Sequence, residues 1–234
     1  MNLYRVSKKA GKYTLNFSDS LNVNTSVHHV LSVPNAEVNG QKLFYAVGEG
    51  APKEGISPFL TAFEISDGSL VPQKTLHLPP GDMNVNEMGS HHANFHPDGI
   101  HIYLGSNEGK TFVIDRNSMS IVTTIDTGKG NGHTTMIPGR MLGISTNHDD
   151  NFFTIIDLNT HQKKAIIKLN VWDRNWKRKA QGHTSSFDPT NDRYFYTSVS
   201  DAGRIIEIDM ETLSISRDVE LKCGSYPIQG VFVW

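Results

Sequence analysis

The feature that most constrains this chain is an internal repeat of roughly 40–50 residues, each copy broken into four short strand-like runs. In one copy the turn Pro97-Asp98-Gly99 is followed by an alternating run over residues 100–106 and a turn at Asn107-Glu108-Gly109. A second run over 111–115 ends in Ile-Asp, and a third covers 120–126. Residues 133–169 and 183–221 repeat the scheme, and the Ile-Asp ending recurs at Asp157 and Asp209. Residues 28–78 form a looser copy, with expected strands over 42–47, 60–65 and 73–78 and an insert over 48–59. Short β-branched and aromatic runs punctuated by Gly, Asn, Asp and Pro argue strands, and no stretch sustains a helical period. Four strands per unit at this period predict an all-β β-propeller of four-stranded blades; a β-sandwich of unrelated hairpins is the alternative.

The two ends fit the same scheme. Residues 3–6 and 13–17 read as the third and outer strands of a blade, and 226–234 as an innermost strand. Joined, they make a fifth blade that closes the ring and removes its open edges. The expectation is one propeller domain over 1–234, most simply five-bladed. A ring of more blades, of which this sequence is a shortened form, is the alternative.

Charge narrows the partners. Against 24 acidic residues stand 22 Lys and Arg, a formal net charge of -2. Such a balance offers no overall electrostatic case for nucleic acid or a membrane surface. No run approaches the length of a membrane helix, so no membrane insertion is expected. Cys223 is the one cysteine, which excludes a disulfide framework and any Cys-rich zinc or iron–sulfur site. The first twelve residues lack an apolar segment, so no signal peptide is visible and the cytoplasm is the expectation from sequence alone.

The eleven histidines are informative in their placement. His28, His91, His133 and His183 each fall where an innermost strand begins, and His148 falls in a second-to-third strand turn on the same face. All innermost strands of a propeller run the same way along its channel, so these positions aim imidazoles at one mouth. Imidazole-only sites suit copper, iron, nickel or zinc. Because side chains alternate along a strand, the pairs His28-His29 and His91-His92 split. His28 and His91 are favoured as ligands, with His29 and His92 close behind. His96, His101 and His161 fall in or beside turns on the opposite face and His77 in an outer strand. These four read as structural or solvated.

The Pro-Asp-Gly turn, the Phe-Val-Ile-Asp third strand and the glycine before the next inner strand resemble the YVTN-type bacterial propeller repeat, over nearly the whole chain. Within that group, His91-His92 at an inner-strand start with single histidines on later blades resembles the propeller domain of nitrous oxide reductase and thiocyanate dehydrogenase. That resemblance implies a copper centre on the axis, with His91 and His92 matching the histidine pair and His133 and His183 matching later positions by place in the blade. It also implies a periplasmic location, once a leader is removed. The spacing departs from that pattern, since the next histidine after the pair, His96, comes four residues on.

The leading reading is therefore a metal-binding propeller, copper favoured with iron or zinc as other options, acting in redox or Lewis-acid chemistry on a small molecule. A lactonase- or lyase-like enzyme with a divalent metal, and a non-catalytic metal-carrying or interaction scaffold, are the alternatives. The long connection over 171–181, with Trp172, Trp176, Arg174, Lys177, Arg178 and Lys179, is placed to cover the mouth and attract an anionic ligand. Met83, Met88 and Glu87 occupy the matching loop before His91. Glu49, Glu108, Asp149, Asp150 and Asp201 lie in turns of the same face, where one carboxylate could orient an imidazole. No nucleophile elbow, Walker loop, dinucleotide fingerprint or HExxH is present. Oligomeric state is not legible.

Overall fold

The computed structural model describes residues 1–21, 23, 27–38, 41–51, 54–79, 92–169, 182–188 and 190–222. Two compact units divide the chain, Met1–Ser90 and His91–Trp234. Every regular element among the described residues is a strand, apart from two short 3-10 turns at Pro138–Arg140 and Ser200–Ala202.

The first unit opens with a hairpin of β1 (Asn2–Lys9) and β2 (Lys12–Ser20). It continues as a four-stranded antiparallel sheet of β3 (Val27–Val38), β4 (Gln41–Gly48), β5 (Phe59–Ser66) and β6 (Ser69–His77), in that spatial order. Ala10-Gly11 and Asp67-Gly68 close the two hairpins with positive φ at both central residues. That is the two-residue turn whose twist matches paired strands. Tyr45, Ala46, Val47, Leu60, Ala62 and Phe63 supply the core of this unit. Tyr13, Leu15 and Phe17 of the opening hairpin stay more than 60% exposed, so they contribute nothing to it. The expected closing strand over 226–234 lies outside the described residues.

The second unit contains three more sheets of the same kind. One is β7 (Ala93–Phe95), β8 (His101–Ser106), β9 (Lys110–Asp115) and β10 (Ser120–Asp126). The next is β11 (Asn131–Ile137), β12 (Leu142–Asn147), β13 (Phe152–Asp157) and β14 (Gln162–Lys168). The last is β15 (Gly182–Asp188), β16 (Asn191–Val199), β17 (Arg204–Asp209) and β18 (Ser214–Glu220). Each sheet is an up-and-down meander with neighbours in chain order. The middle strands are buried on both faces, as their near-continuous apolar sequences require, whereas β10, β14 and β18 expose most of their residues. Tyr103, Val113 and Ile125 pack with Ile156 and Leu158 between the first two sheets of this unit. Ile144, Phe153, Ile155, Phe195, Val199 and Ile206 pack between its last two.

The recurring Ile-Asp has a physical cause. Asp115 accepts the Asn117 and Ser118 N–H groups, both at 2.8 Å; Asp157 accepts that of Asn159 at 2.9 Å; Asp209 accepts those of Glu211 and Thr212 at 2.8 and 3.3 Å. Four residues after each aspartate the chain takes a left-handed conformation, at Met119, His161 and Leu213. One side chain thus holds the start of the third-to-fourth strand turn by taking N–H groups that have no ladder partner. The Ser118 N–H is the chief influence holding the Asp115 carboxyl below its usual range; partial burial opposes it, and the Ser118 hydroxyl, the Asn117 N–H and the His101 ring add to the lowering. A depressed carboxyl contributes stability above the unfolded value of about 3.9 and loses it as pH falls through the folded value. Asp115→Asn keeps the acceptor and removes the charge. Its thermal melts are expected to match wild type more closely near pH 3 (roughly) than near neutrality, while Asp115→Ala loses about 1 kcal/mol at neutral pH. A variant melt offset that is the same at both pH values would remove the carboxylate from the account.

Candidate functional site

At one end of the second unit, imidazoles from neighbouring sheets meet. His92 stands just before β7; its N–H donates to Gly132 O at 3.3 Å and its carbonyl accepts the Gly105 N–H at 3.0 Å. Its ring stacks on that of His133, with centroids 3.7 Å apart and planes 23° from parallel. His133 sits on β11 beyond a register shift at Gly132. The His148 ring lies 6.3 Å from His133, and the His148 N–H donates to Gly130 O at 2.7 Å. A Cβ on Gly132 would run into the His148 ring, and one on Gly182 into the Phe153 ring. The glycine of each Gly-His-Thr motif is therefore required by an aromatic ring lying over it. Below the histidine row, Asp150 accepts the Lys129 N–H at 2.7 Å and holds the loop that carries Gly130.

The structure thus brings together His92, His133 and His148 of the expected set. His91 lies outside the described residues. His183 lies on β15, and its side chain is likewise outside them. His28 and His29 belong to the first unit, at the start of β3. There the carboxylate expected to orient an imidazole is Glu49, which is buried and hydrogen-bonds His28 Nδ1 through Oε1. The half-buried His29 is held below its usual range by burial first and by the charge of His28 second. The expected cover over 171–181, the loop over 80–91 and Cys223 lie outside the described residues.

A second histidine group in the same unit involves residues that the sequence assigns to structural roles. His96 is 5% exposed, and its Nε2 meets Leu158 O at 3.0 Å. Its Nδ1 lies 2.9 Å from Asp98 Oδ2, and His101 Nδ1 lies 2.6 Å from the same oxygen. Asp98 Oδ1 accepts the Ile100 and His101 N–H groups at 2.7 and 3.0 Å. His161 Nδ1 is 2.6 Å from the Tyr103 hydroxyl, and its ring centroid is 4.6 Å from that of His101 and 5.4 Å from that of His96. Donor atoms of His96, Asp98 and His101 all fall within 4.8 Å of one another. Burial works to raise the Asp98 carboxyl, but the backbone N–H groups of His101 and Ile100, with both imidazoles, outweigh it and hold the carboxyl far below its usual range. Tyr103 is pushed well up by burial and by the charges of Asp98 and Asp157. His161 is pushed down by burial and by His101 and His96, against the pull of Asp98. His77, on outer strand β6, packs edge-on against Phe59.

These sheets, with central strands buried on both faces and histidines gathered at their ends, define the chain as an all-β protein of the propeller class. No family model matches the chain, and no curated protein matches it. Solved structures do. Hydrazine synthase from Kuenenia stuttgartiensis matches with a TM-score of 0.51 and 14% identity, over 64% of this chain and 40% of that one. The dihydro-heme d1 dehydrogenase NirN, in complex with DHE, matches with a TM-score of 0.57 and 18% identity, over 79% of this chain and 36% of that one. The chain spans well under half the length of either. Both are β-propellers, and the likeness establishes that fold for this chain.

Proposed function

We propose that this β-propeller binds a transition metal, copper in first place, through the inner-strand histidines of its second unit. His133 is the central ligand, with His92 and His148 beside it and His91 and His183 completing the set. The observation that carries this reading is the packing of three imidazoles from two sheets at one end of that unit. The neutral imidazole is the form that coordinates a metal ion. Neutral imidazoles suit copper, with zinc and iron as competitors. An open coordination position would let the ion act on a small or anionic molecule. One solved propeller of similar fold is described as a dehydrogenase in complex with DHE, which makes oxidoreductase chemistry the class to assay first.

Copper titration of untagged full-length protein tests the reading. Wild type is expected to take up Cu(II) with nitrogen hyperfine structure in its EPR spectrum, and His133→Ala to lower the affinity by about 100-fold and remove that signal. Equal uptake and an unchanged spectrum in the variant would overturn it. The His28–Glu49 pair favours a second reading, a lactonase- or lyase-like enzyme with His28 as acid or base, since a buried carboxylate fixes the tautomer of the ring it holds. In that case His28→Gln abolishes turnover of a lactone panel while leaving copper uptake unchanged.

A further inference from the structure

The geometry points to a second cation site, for a zinc-class divalent ion, formed by His96 Nδ1, Asp98 Oδ2 and His101 Nδ1 with His161 as the fourth ligand. It is independent of the inner-strand histidines. Its basis is a proton count. The Leu158 carbonyl can only accept, so His96 Nε2 must carry the hydrogen of their 3.0 Å contact. The Nδ1 of a neutral His96 ring is then a lone pair. It accepts the Asp98 N–H at 3.1 Å, yet it also faces Asp98 Oδ2 at 2.9 Å. Two lone pairs at that distance require a positive charge between or beside them, either a proton or a metal ion. In metal-bound histidines the outer ring nitrogen is held by a backbone carbonyl or carboxylate, as Leu158 O holds His96 Nε2, which leaves Nδ1 as the ligand atom.

The repeat shows that these histidines are not needed for the fold. His101 stands opposite Asp115 as Leu142 stands opposite Asp157 and Tyr194 opposite Asp209. His161 takes the left-handed turn position that Met119 and Leu213 hold in the sister sheets. His96 precedes Pro97 where Ile137 precedes Pro138. Packing fills these places with mostly apolar side chains in the sister sheets, whereas here three imidazoles gather round one carboxylate. Tetrahedral zinc with bonds near 2.0–2.1 Å wants donor atoms about 3.3 Å apart. From separations of 2.9 and 2.6 Å, Asp98 Oδ2 draws back by about 0.4 and 0.7 Å, and the two imidazole nitrogens, now within 4.8 Å of each other, settle at the same spacing. The turn hydrogen bonds through Oδ1 survive that shift, and the Asp98 N–H contact to His96 Nδ1 is the one the ion displaces, since both use the same lone pair. His161 joins through Nε2 when its Nδ1–H is given to the Tyr103 oxygen. Two or three neutral imidazoles and one carboxylate leave a divalent ion with one net positive charge, suited to a structural site or to holding an anion.

The test is competition of full-length untagged protein against a chromophoric chelator for Zn(II), with the visible spectrum of the Co(II) form as a second readout. Asp98→Asn keeps the turn acceptor, and His101→Leu and His161→Leu install residues the sister sheets already use, so all three should fold. Asp98→Asn and His101→Leu are each expected to weaken Zn(II) binding by about 100-fold or more, with loss of the tetrahedral Co(II) bands. His161→Leu should weaken it by about 10-fold. If Asp98→Asn and His101→Leu shift affinity by less than about threefold, the cation is a proton only and the proposal fails. It fails equally if the tetrahedral Co(II) bands persist in both variants.

Discussion

Asn131→Leu is expected to cost about 3 kcal/mol or more in urea unfolding, although it adds apolar surface to a fully buried place. The Asn131 amide nitrogen lies 2.6 Å from Thr111 Oγ1 and 3.1 Å from Lys110 O on β9 of the preceding sheet, and 2.9 Å from Thr127 Oγ1 just after β10. Its carbonyl oxygen accepts the Ser145 hydroxyl at 2.7 Å from the adjacent strand β12. All four side chains are buried to 0% exposure. One amide therefore ties two sheets together. Leucine would strand the Ser145 hydroxyl, at about 1–3 kcal/mol, and would take a donor from the Thr111 and Thr127 hydroxyls, which keep only their 3.3 Å contacts to each other and to Gly109 O. The cost is also cooperative. Ser145→Ala is expected to cost clearly less in the Asn131→Leu background than in wild type, with a coupling of about 1 kcal/mol or more. Additive losses, or a single-mutant loss below about 1 kcal/mol, would show that burial alone governs this position. Asn131 immediately precedes Gly132-His133, so the same network sets where the stacked His92–His133 pair stands.

The fold was legible because middle and outer strands carry different patterns. Ile-Tyr-Leu on β8 and Phe-Val-Ile on β9 are buried on both faces, while Ser120–Asp126 exposes most of its residues. The Ile-Asp ending was legible as a marker of the repeat, but the capture of turn N–H groups behind it became visible only with the backbone. That His133 and His148 share one end of the unit follows from strand polarity. The stacking of His92 on His133 does not, because it depends on how close two sheets approach, and that rests on Gly105, where a Cβ would meet Asn131 O of the next sheet. The His96, Asp98, His101 and His161 group was hidden for a related reason. Its members come from a turn, a strand start and a turn of the next sheet, and Leu158 and Tyr103 bring them together through packing between sheets. His96, Asp98 and His101 lie in one short stretch and can be read together from their spacing, but the arrival of His161 from the next sheet cannot. A comparison of equivalent positions could have found it, since Leu142, Tyr194, Met119 and Leu213 show what the repeat places there when nothing else is asked of it.

Phe153→Ala is expected to cost about 4 kcal/mol, or a drop in Tm on the order of 10 °C. Phe153 on β13 is fully buried and packs in the cluster with Ile144, Ile155, Phe195, Val199 and Ile206, between the last two sheets. Its ring occupies the space where Gly182 would carry a Cβ. Two terms add in the alanine variant: the lost transfer free energy of the ring and the cavity left between sheets that are each pinned by their own hydrogen bonds. The close approach of ring and glycine makes a sharper test than the loss alone. Gly182 has no positive φ, so alanine there is opposed by space and not by backbone conformation. Gly182→Ala should cost about 1–3 kcal/mol in wild type, where the new methyl meets the ring. In the Phe153→Ala background it should be neutral or stabilising, because the methyl enters the cavity and also removes the freedom of a glycine from the unfolded chain. A destabilisation of equal size in both backgrounds would mean that Phe153 does not lie over Gly182. The approach of β15, which carries His183, to the preceding sheet would then need another cause.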